Sequence, residues 1–192
     1  LLANSPSDIT SLTALELSSA IRSRHVSCVE VMSTFLTRID KVNPVYNAIV
    51  SRPDDSSLMA QAKTCDLELS AGNYRGWMHG MPHAAKDLAD VEGMITSSGS
   101  PIFRDNVTTA DSLHIARIRQ AGAIFVGKTN VPEFGMGSQS YNTVFGATLN
   151  PYDAQSTAGG SSGGAAAALR LNLLPVADGS DLMGSLRNPG AY

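Results

Sequence analysis

The stretch 157–168 reads TAGGSSGGAAAA and continues without a polar break into LRLNLL. A glycine-serine turn that feeds directly into a strong helix former restricts what the chain can fold into. Flexible linkers stay polar on both sides, whereas this turn is tied to a helix with an apolar face to bury. A phosphate-cradling loop is a second option, because a glycine-rich turn ahead of a helix presents free N–H groups to an anion. The lysine of a P-loop is absent, since Ser161 and Ser162 are followed by Gly163 and Gly164. A G-x-G-x-x-G pattern can be laid over 159–164, but no strand leads into it. The third option is a catalytic turn.

That option draws on two other stretches. Residues 177–190, ADGSDLMGSLRNPG, form a second glycine-serine turn holding Ser180 and Ser185, one helix and one strand reading (174–177) further on. Open α/β sheets gather ligands outside the carboxyl ends of their strands, where two such turns can meet. A nucleophilic serine needs a base, and no histidine lies near either turn. A lysine can serve if burial keeps it neutral. Lys86, in MPHAAKDLAD (81–90), sits among Pro82, Ala84, Ala85 and Leu88. The bland reading pairs it with Asp87 in solvent at a strand end.

Along the chain, helical and strand patterns alternate. Residues 11–24 are amphipathic through Leu12, Leu15, Leu17 and Ile21. A second helix opens on a capping box, Ser27 with Glu30, and carries the stripe Cys28, Met32, Phe35, Ile39 and Val42 until Asn43-Pro44 stops it. Residues 47–51 read as a short strand, and 56–70 as a helix ended by Gly72. Asp111 caps a helix running through Gln120 that includes Leu113, Ile115 and Ile118; AIFVG (123–127) then reads as a buried strand. Residues 128–156 read as a long surface connection, 163–172 as a helix, and 174–177 as a strand. The alternation predicts an α/β layered fold with a mainly parallel sheet.

Bulk properties narrow the function classes. The chain has 192 residues, 43% of them hydrophobic, and a net charge of −3 without blocks of like charge. Neither a nucleic-acid surface nor a polybasic membrane patch is indicated. Cys28 and Cys65 lie in helical patterns and read as buried free thiols, with a disulfide or metal pair as the alternative. His25, His79, His83 and His114 show no metal-ligand spacing. No signal peptide and no apolar run of about 20 residues is visible, so the default is a soluble, cytoplasmic protein. The chain starts at Leu1 and stops after a glycine turn at Tyr192, which reads as a piece of a longer polypeptide.

GGSSGG at 159–164, DGSDLMGSLRNP at 178–189 and HAAKDLAD at 83–90, with GKTNVPEFGMGS at 127–138 and FGATLNPYD at 145–153, together resemble the amidase signature family. The resemblance runs from the first helix to the last residue. It implies an α/β/α layered fold with a mixed, mainly parallel sheet, here the N-terminal portion of a single domain over 1–192. It also implies a Ser–cis-Ser–Lys triad. Ser185 matches the nucleophile, Ser161 the bridging serine with a cis bond to its predecessor, and Lys86 the lysine that starts the proton relay. Backbone N–H groups around Leu182, Met183, Gly184 and Ser185 match the oxyanion donors. Ser162, Asp181 and Arg187 match supporting positions, each equally readable as a helix cap or surface pair.

The same resemblance implies no cofactor and no metal, a small-molecule amide as substrate, and either the remainder of the polypeptide or a complementary chain as partner. A homodimer is compatible with it, and neither nucleic acid nor membrane is expected. The first reading is a free-standing amidase acting on non-peptide C–N bonds. Its enzymatic rival is the glutaminase subunit of a tRNA-dependent amidotransferase, which usually brings TGGSIRQP-like residues where this chain has LMGSLRNP. The rival from another class is a non-catalytic scaffold, against which all three triad positions are filled. Relatives commonly carry Gly-Gly before the nucleophile, where this chain has Met183-Gly184. The expectation is that Met183 avoids positive φ and lines a pocket wall.

Overall fold

The alternation read from the sequence appears as helices packed on both faces of a small sheet. The computed structural model describes residues 8–192. Five α-helices are α1 (Ala14–Arg22), α2 (Cys28–Tyr46), α3 (Asp55–Ser70), α4 (Leu113–Gln120) and α5 (Gly163–Arg170). Strands β1 (Ile49–Val50), β2 (Pro82–Lys86) and β3 (Ile124–Thr129) form one sheet in the order β1-β3-β2. β2 and β3 run parallel, with Lys86 opposite Thr129, and β1 joins β3 antiparallel. A second small ribbon pairs β4 (Tyr141–Asn142) with β5 (Gly146–Ala147).

Every residue of β2 and β3 is buried, as expected of a parallel pair covered on both faces. Side chains alternate across the pleat, and the two faces feed two cores. Ala84, Ile124 and Val126 join a large cluster with Leu17, Phe35, Ile39, Leu58 and Leu173 from the helical side. Ala85 and Phe125 turn the other way, against Ile115 of α4 and Val91. Two helices open on capping boxes. Ser27 and Glu30 close a capping box on α2, and Thr13 with Glu16 does the same for α1. Leu17 and Ile21 of α1 are buried, while Leu15 and Leu113 stay exposed.

Four local readings are corrected. Pro44 does not stop α2; it lies in the last turn, and the helix ends at Asn47 in the left-handed region. Asn43 organises that exit, accepting from the N–H groups of Ala48 and Ile49 and donating to the Ile49 carbonyl. Asp111 does not cap α4. Ser112 is the cap residue, and Asp111 instead accepts from Arg119 and from the Glu92 N–H. Residues 128–156 are not a surface connection throughout: Lys128, Asn130, Ser140, Asn142, Thr148 and Asn150 are buried. Asn130 bonds Thr148 and Asn142, so polar side chains replace the ladder that loop backbone lacks. Residues 174–177 form no strand, although Leu174 is buried.

α5 meets the end of β3 through glycine. A Cβ on Gly164 would lie 2.8 Å from the Ala48 carbonyl oxygen and closer still to Asn130. Only glycine permits that approach, which seats the start of α5 beside the C-terminal end of β3. Among the described residues, no helix is long and apolar enough to cross a membrane.

Candidate active site

Lys86 ends β2 with its side chain buried, 2% exposed. Its Nζ donates to Ser161 Oγ at 2.8 Å, to Ser162 Oγ at 2.8 Å, and to Ser180 Oγ and carbonyl at 3.0 and 3.3 Å. Burial pushes this lysine down to about 8, against the opposing pull of Asp178 and then Asp181. A neutral amine is thus reached near physiological pH. The ordinary value is 10.5, so the buried ammonium opposes folding fully below pH 8, and the penalty fades as pH rises toward 10.5.

The solvent pairing with Asp87 is overturned. Asp87 is itself buried and turns away, accepting from Ser97 Oγ at 2.5 Å and from the N–H groups of Ser97 and Gly99. Its cationic neighbour is Lys128 of β3, at 4.0 Å. Lys128 in turn donates to Thr96 at 2.9 Å and to the Ala89 carbonyl. Sequence reasoning misses this second buried lysine, because nothing in its local pattern sets it apart from a surface loop residue.

The two glycine-serine turns meet at Lys86. Ser161 is 2% exposed and joined to Gly160 by a cis peptide bond. Ser162 starts α5 without a capping hydrogen bond; its Oγ accepts from Lys86 and donates to the Ser180 carbonyl at 3.2 Å. Its N–H donates to the Ser185 carbonyl at 3.0 Å, which fastens the second turn to the first. Ser185 is 8% exposed, and its Oγ donates to the Leu182 carbonyl at 2.9 Å rather than to Ser161.

Asp181 is the anchor of the second turn. It accepts from the N–H groups of Gly184, Leu186 and Arg187 and, in two bonds, from the Arg187 guanidinium. The guanidinium holds its carboxyl well below the usual range. The Gly184 N–H is therefore engaged within the turn. Those of Leu182, Met183 and Ser185 find no acceptor among the described residues. Met183 has φ of 60°, so it does not avoid the left-handed region, and the residue is 92% exposed. Gly184 follows with φ of 105°, so two left-handed residues in succession lead into Ser185.

A cleft of about 420 Å³ opens between Phe134, Met136 and Tyr141 and the 137–139 loop. That loop abuts Gly160, where a Cβ would sit 2.8 Å from the Gln139 nitrogen. The cleft therefore adjoins the first serine turn.

A model of the amidase family matches residues 30–192. The chain belongs to that family. A glutamyl-tRNA(Gln) amidotransferase subunit of Azoarcus sp. (strain BH72) is 42% identical over 177 residues, covering 92% of this chain and 36% of that relative. The chain thus spans about a third of the length of the curated relatives it matches. Among solved structures, a fatty acid amide hydrolase superposes with a TM-score of 0.90 at 28% identity, covering 100% of this chain and 34% of that one. A bacterial aryl acylamidase of the amidase signature family gives 0.89 at 30% identity, covering 94% and 38%.

Within the amidase fold, Cys65, Glu68 and His79 bring donor atoms together at the far ends of α3 and its following loop. The His79 and Glu68 donor atoms are already engaged. His79 Nδ1 accepts from the Arg75 N–H, its Nε2 meets the Cys65 carbonyl, and Glu68 forms two bonds to Arg75. Burial raises the Cys65 thiol, which disfavours the thiolate a metal needs. Cys28 and Cys65 are free and buried.

The left-handed residue before Gly184 offers a direct check on the amidase turn. Met183→Gly removes an αL penalty of roughly 1–2 kcal/mol, part of it offset by the added freedom of glycine in the unfolded chain. The expected outcome is a net gain of about 0.5–1 kcal/mol, read as a raised thermal midpoint of the full-length protein. A lowered midpoint would show that the methionine side chain packs against something.

Proposed function

We propose that this chain carries the reacting groups of a serine amide hydrolase. The observation that supports it most is the buried Lys86 amine, 2.8 Å from Ser161 Oγ and at the junction of the two serine turns. Neutral Lys86 accepts the proton of Ser161, which accepts that of Ser185 as the Ser185 oxygen bonds to the amide carbonyl carbon. For this step Ser185 Oγ turns from the Leu182 carbonyl toward Ser161. The free N–H groups of Leu182, Met183 and Ser185 are suited to the resulting oxyanion, each such donor contributing about 3–4 kcal/mol in comparable sites. The proton then returns to the leaving nitrogen as the C–N bond breaks. Water repeats the sequence on the acyl-enzyme and releases the carboxylate.

Two substrate readings share this chemistry. The sequence motif LMGSLRNP favours a free-standing amidase. The names of the relatives at about 40% identity favour the other, in which glutamine is the amide and a partner chain receives the ammonia. Weighed by identity and coverage, the glutaminase reading has the stronger support. A panel of glutamine, aryl anilides, fatty acid amides and short aliphatic amides, offered to the full-length protein, tests both. Ammonia released from glutamine at a kcat/KM at least about tenfold above the other amides supports the glutaminase. The reverse order supports the free-standing amidase. Failure of every amide to react would sink both.

A further inference from the structure

Asp178 lies between the two parts of the site, and the sequence motifs give it no role. β2 lies at the edge of the three-stranded sheet, and among the described residues no neighbouring strand receives the outward N–H of Lys86. The Asp178 carboxylate takes that place, accepting from the Lys86 N–H at 3.0 and 3.3 Å. The same carboxylate meets His83 Nε2 at 3.1 Å. His83 sits on β2, where a bulge follows it, and its side chain is 2% exposed with Nδ1 buried and unpartnered. Two residues beyond Asp178, Ser180 holds the lysine's Nζ through its hydroxyl and carbonyl. One segment therefore grips Lys86 at both its backbone and its amine.

We propose that Asp178 is a positioning residue for the Lys86 base: with His83 holding its carboxylate, it clips the lysine strand to the turn bearing Ser180 and Ser185 and places a fixed negative charge at the lysine's backbone N–H. The inference rests on the reading of Lys86 as the general base. The charge acts in a defined setting. His83 of β2 faces Asp178, His114 of α4 approaches its other oxygen at 3.8 Å, Lys128 of β3 feels its field, and Asp181 adds a second negative charge on the turn. A carboxylate in this place favours the protonated lysine and opposes burial. It thereby sets the pH at which the base becomes available.

The experiment is the pH profile of kcat/KM for the full-length protein and its variants. Asp178→Asn keeps an oxygen for the Lys86 N–H and removes the charge. Its rising limb is expected to move down by about 0.5–1 pH unit. Asp178→Ala removes the clip as well, and its kcat is expected to fall by about 10–100-fold with KM nearly unchanged, as a misplaced base would give. His83→Gln, whose amide nitrogen can replace Nε2, is expected to keep the wild-type limb. A purely structural role would lower the amount of folded protein without moving the limb. An Asp178→Asn limb that coincides with wild type, while Lys86→Met is inactive, would overturn the inference and leave the proposed function standing. Full activity of Lys86→Met would remove the base itself, and the inference with it.

Discussion

Replacement of Ser185 by alanine is expected to lower kcat by roughly 10⁴–10⁶-fold, the largest single effect in this molecule. Its hydroxyl is the one serine oxygen on the turn whose neighbouring N–H groups at Leu182, Met183 and Ser185 are unengaged among the described residues. Ser161 and Ser162 are committed to Lys86 at 2.8 Å each, and Ser180 is held at 3.0 Å. A fluorophosphonate probe gives a readout independent of the substrate. Attack by the Ser185 oxygen expels fluoride and leaves a phosphonyl ester that intact mass and peptide mapping locate. Labelling is expected in the wild-type full-length protein and lost in Ser185→Ala. Because Oγ is small and donates only to the Leu182 carbonyl, the fold is expected to survive the change, and an unaltered thermal midpoint checks this. Undiminished labelling of Ser185→Ala would place the nucleophile elsewhere, and an unlabelled wild type would favour a scaffold.

Loss of the amine at Lys86 is the second large effect. Removing a general base costs about 10²–10⁴-fold in rate. Lys86→Ala leaves a cavity under two serine turns, so Lys86→Met, which keeps the volume, separates chemistry from packing. Both are expected to lose turnover, and Lys86→Met to retain a near-normal thermal midpoint. The pH dependence follows from the same group. The protonated ammonium cannot accept a proton, and burial brings it down to about 8. Activity therefore rises with pH, about tenfold per unit below about 8, and levels above it. A profile flat from about pH 6 to 9, or normal kcat in Lys86→Met, would refute the assignment.

The sequence carries much of the fold because its signals are local. The capping box at Ser27 and Glu30, the apolar stripe of α2 and the apolar run Ile124-Phe125-Val126 need only neighbours a few residues away. Where a distant partner decides, the local reading fails. Pro44 reads as a stop, but the helix runs through it at the loss of one i→i−4 hydrogen bond and closes three residues later, where the Asn47 N–H donates to the Asn43 carbonyl. Asp111 looks like a cap until Arg119 competes for it. Residues 128–156 look like surface by composition, yet Asn130 and Asn142 are inside because they bond each other and Asn130 bonds Thr148, while Asn150 donates to the Thr157 carbonyl.

The site divides along the same line. The order and residue types of Lys86, Ser161 and Ser185 are readable from the chain, since motif chemistry is written in contiguous residues. That Lys86 faces Ser161 rather than Asp87 depends on the parallel pairing of β2 with β3 and on glycine at 164, which lets α5 close on the strand end. The contacts of Asp178 with His83 and the Lys86 N–H are not legible at all, because they exist only once the sheet is built. Met183 is legible as a departure, but its left-handed backbone follows from the turn around Asp181, which overrides one residue's preference. By itself, the sequence determined the helices, the strands β2 and β3, and the residue types proposed to react. Tertiary structure decided burial and long-range hydrogen bonding, and through them that Lys86 lies buried among Ser161, Ser162 and Ser180.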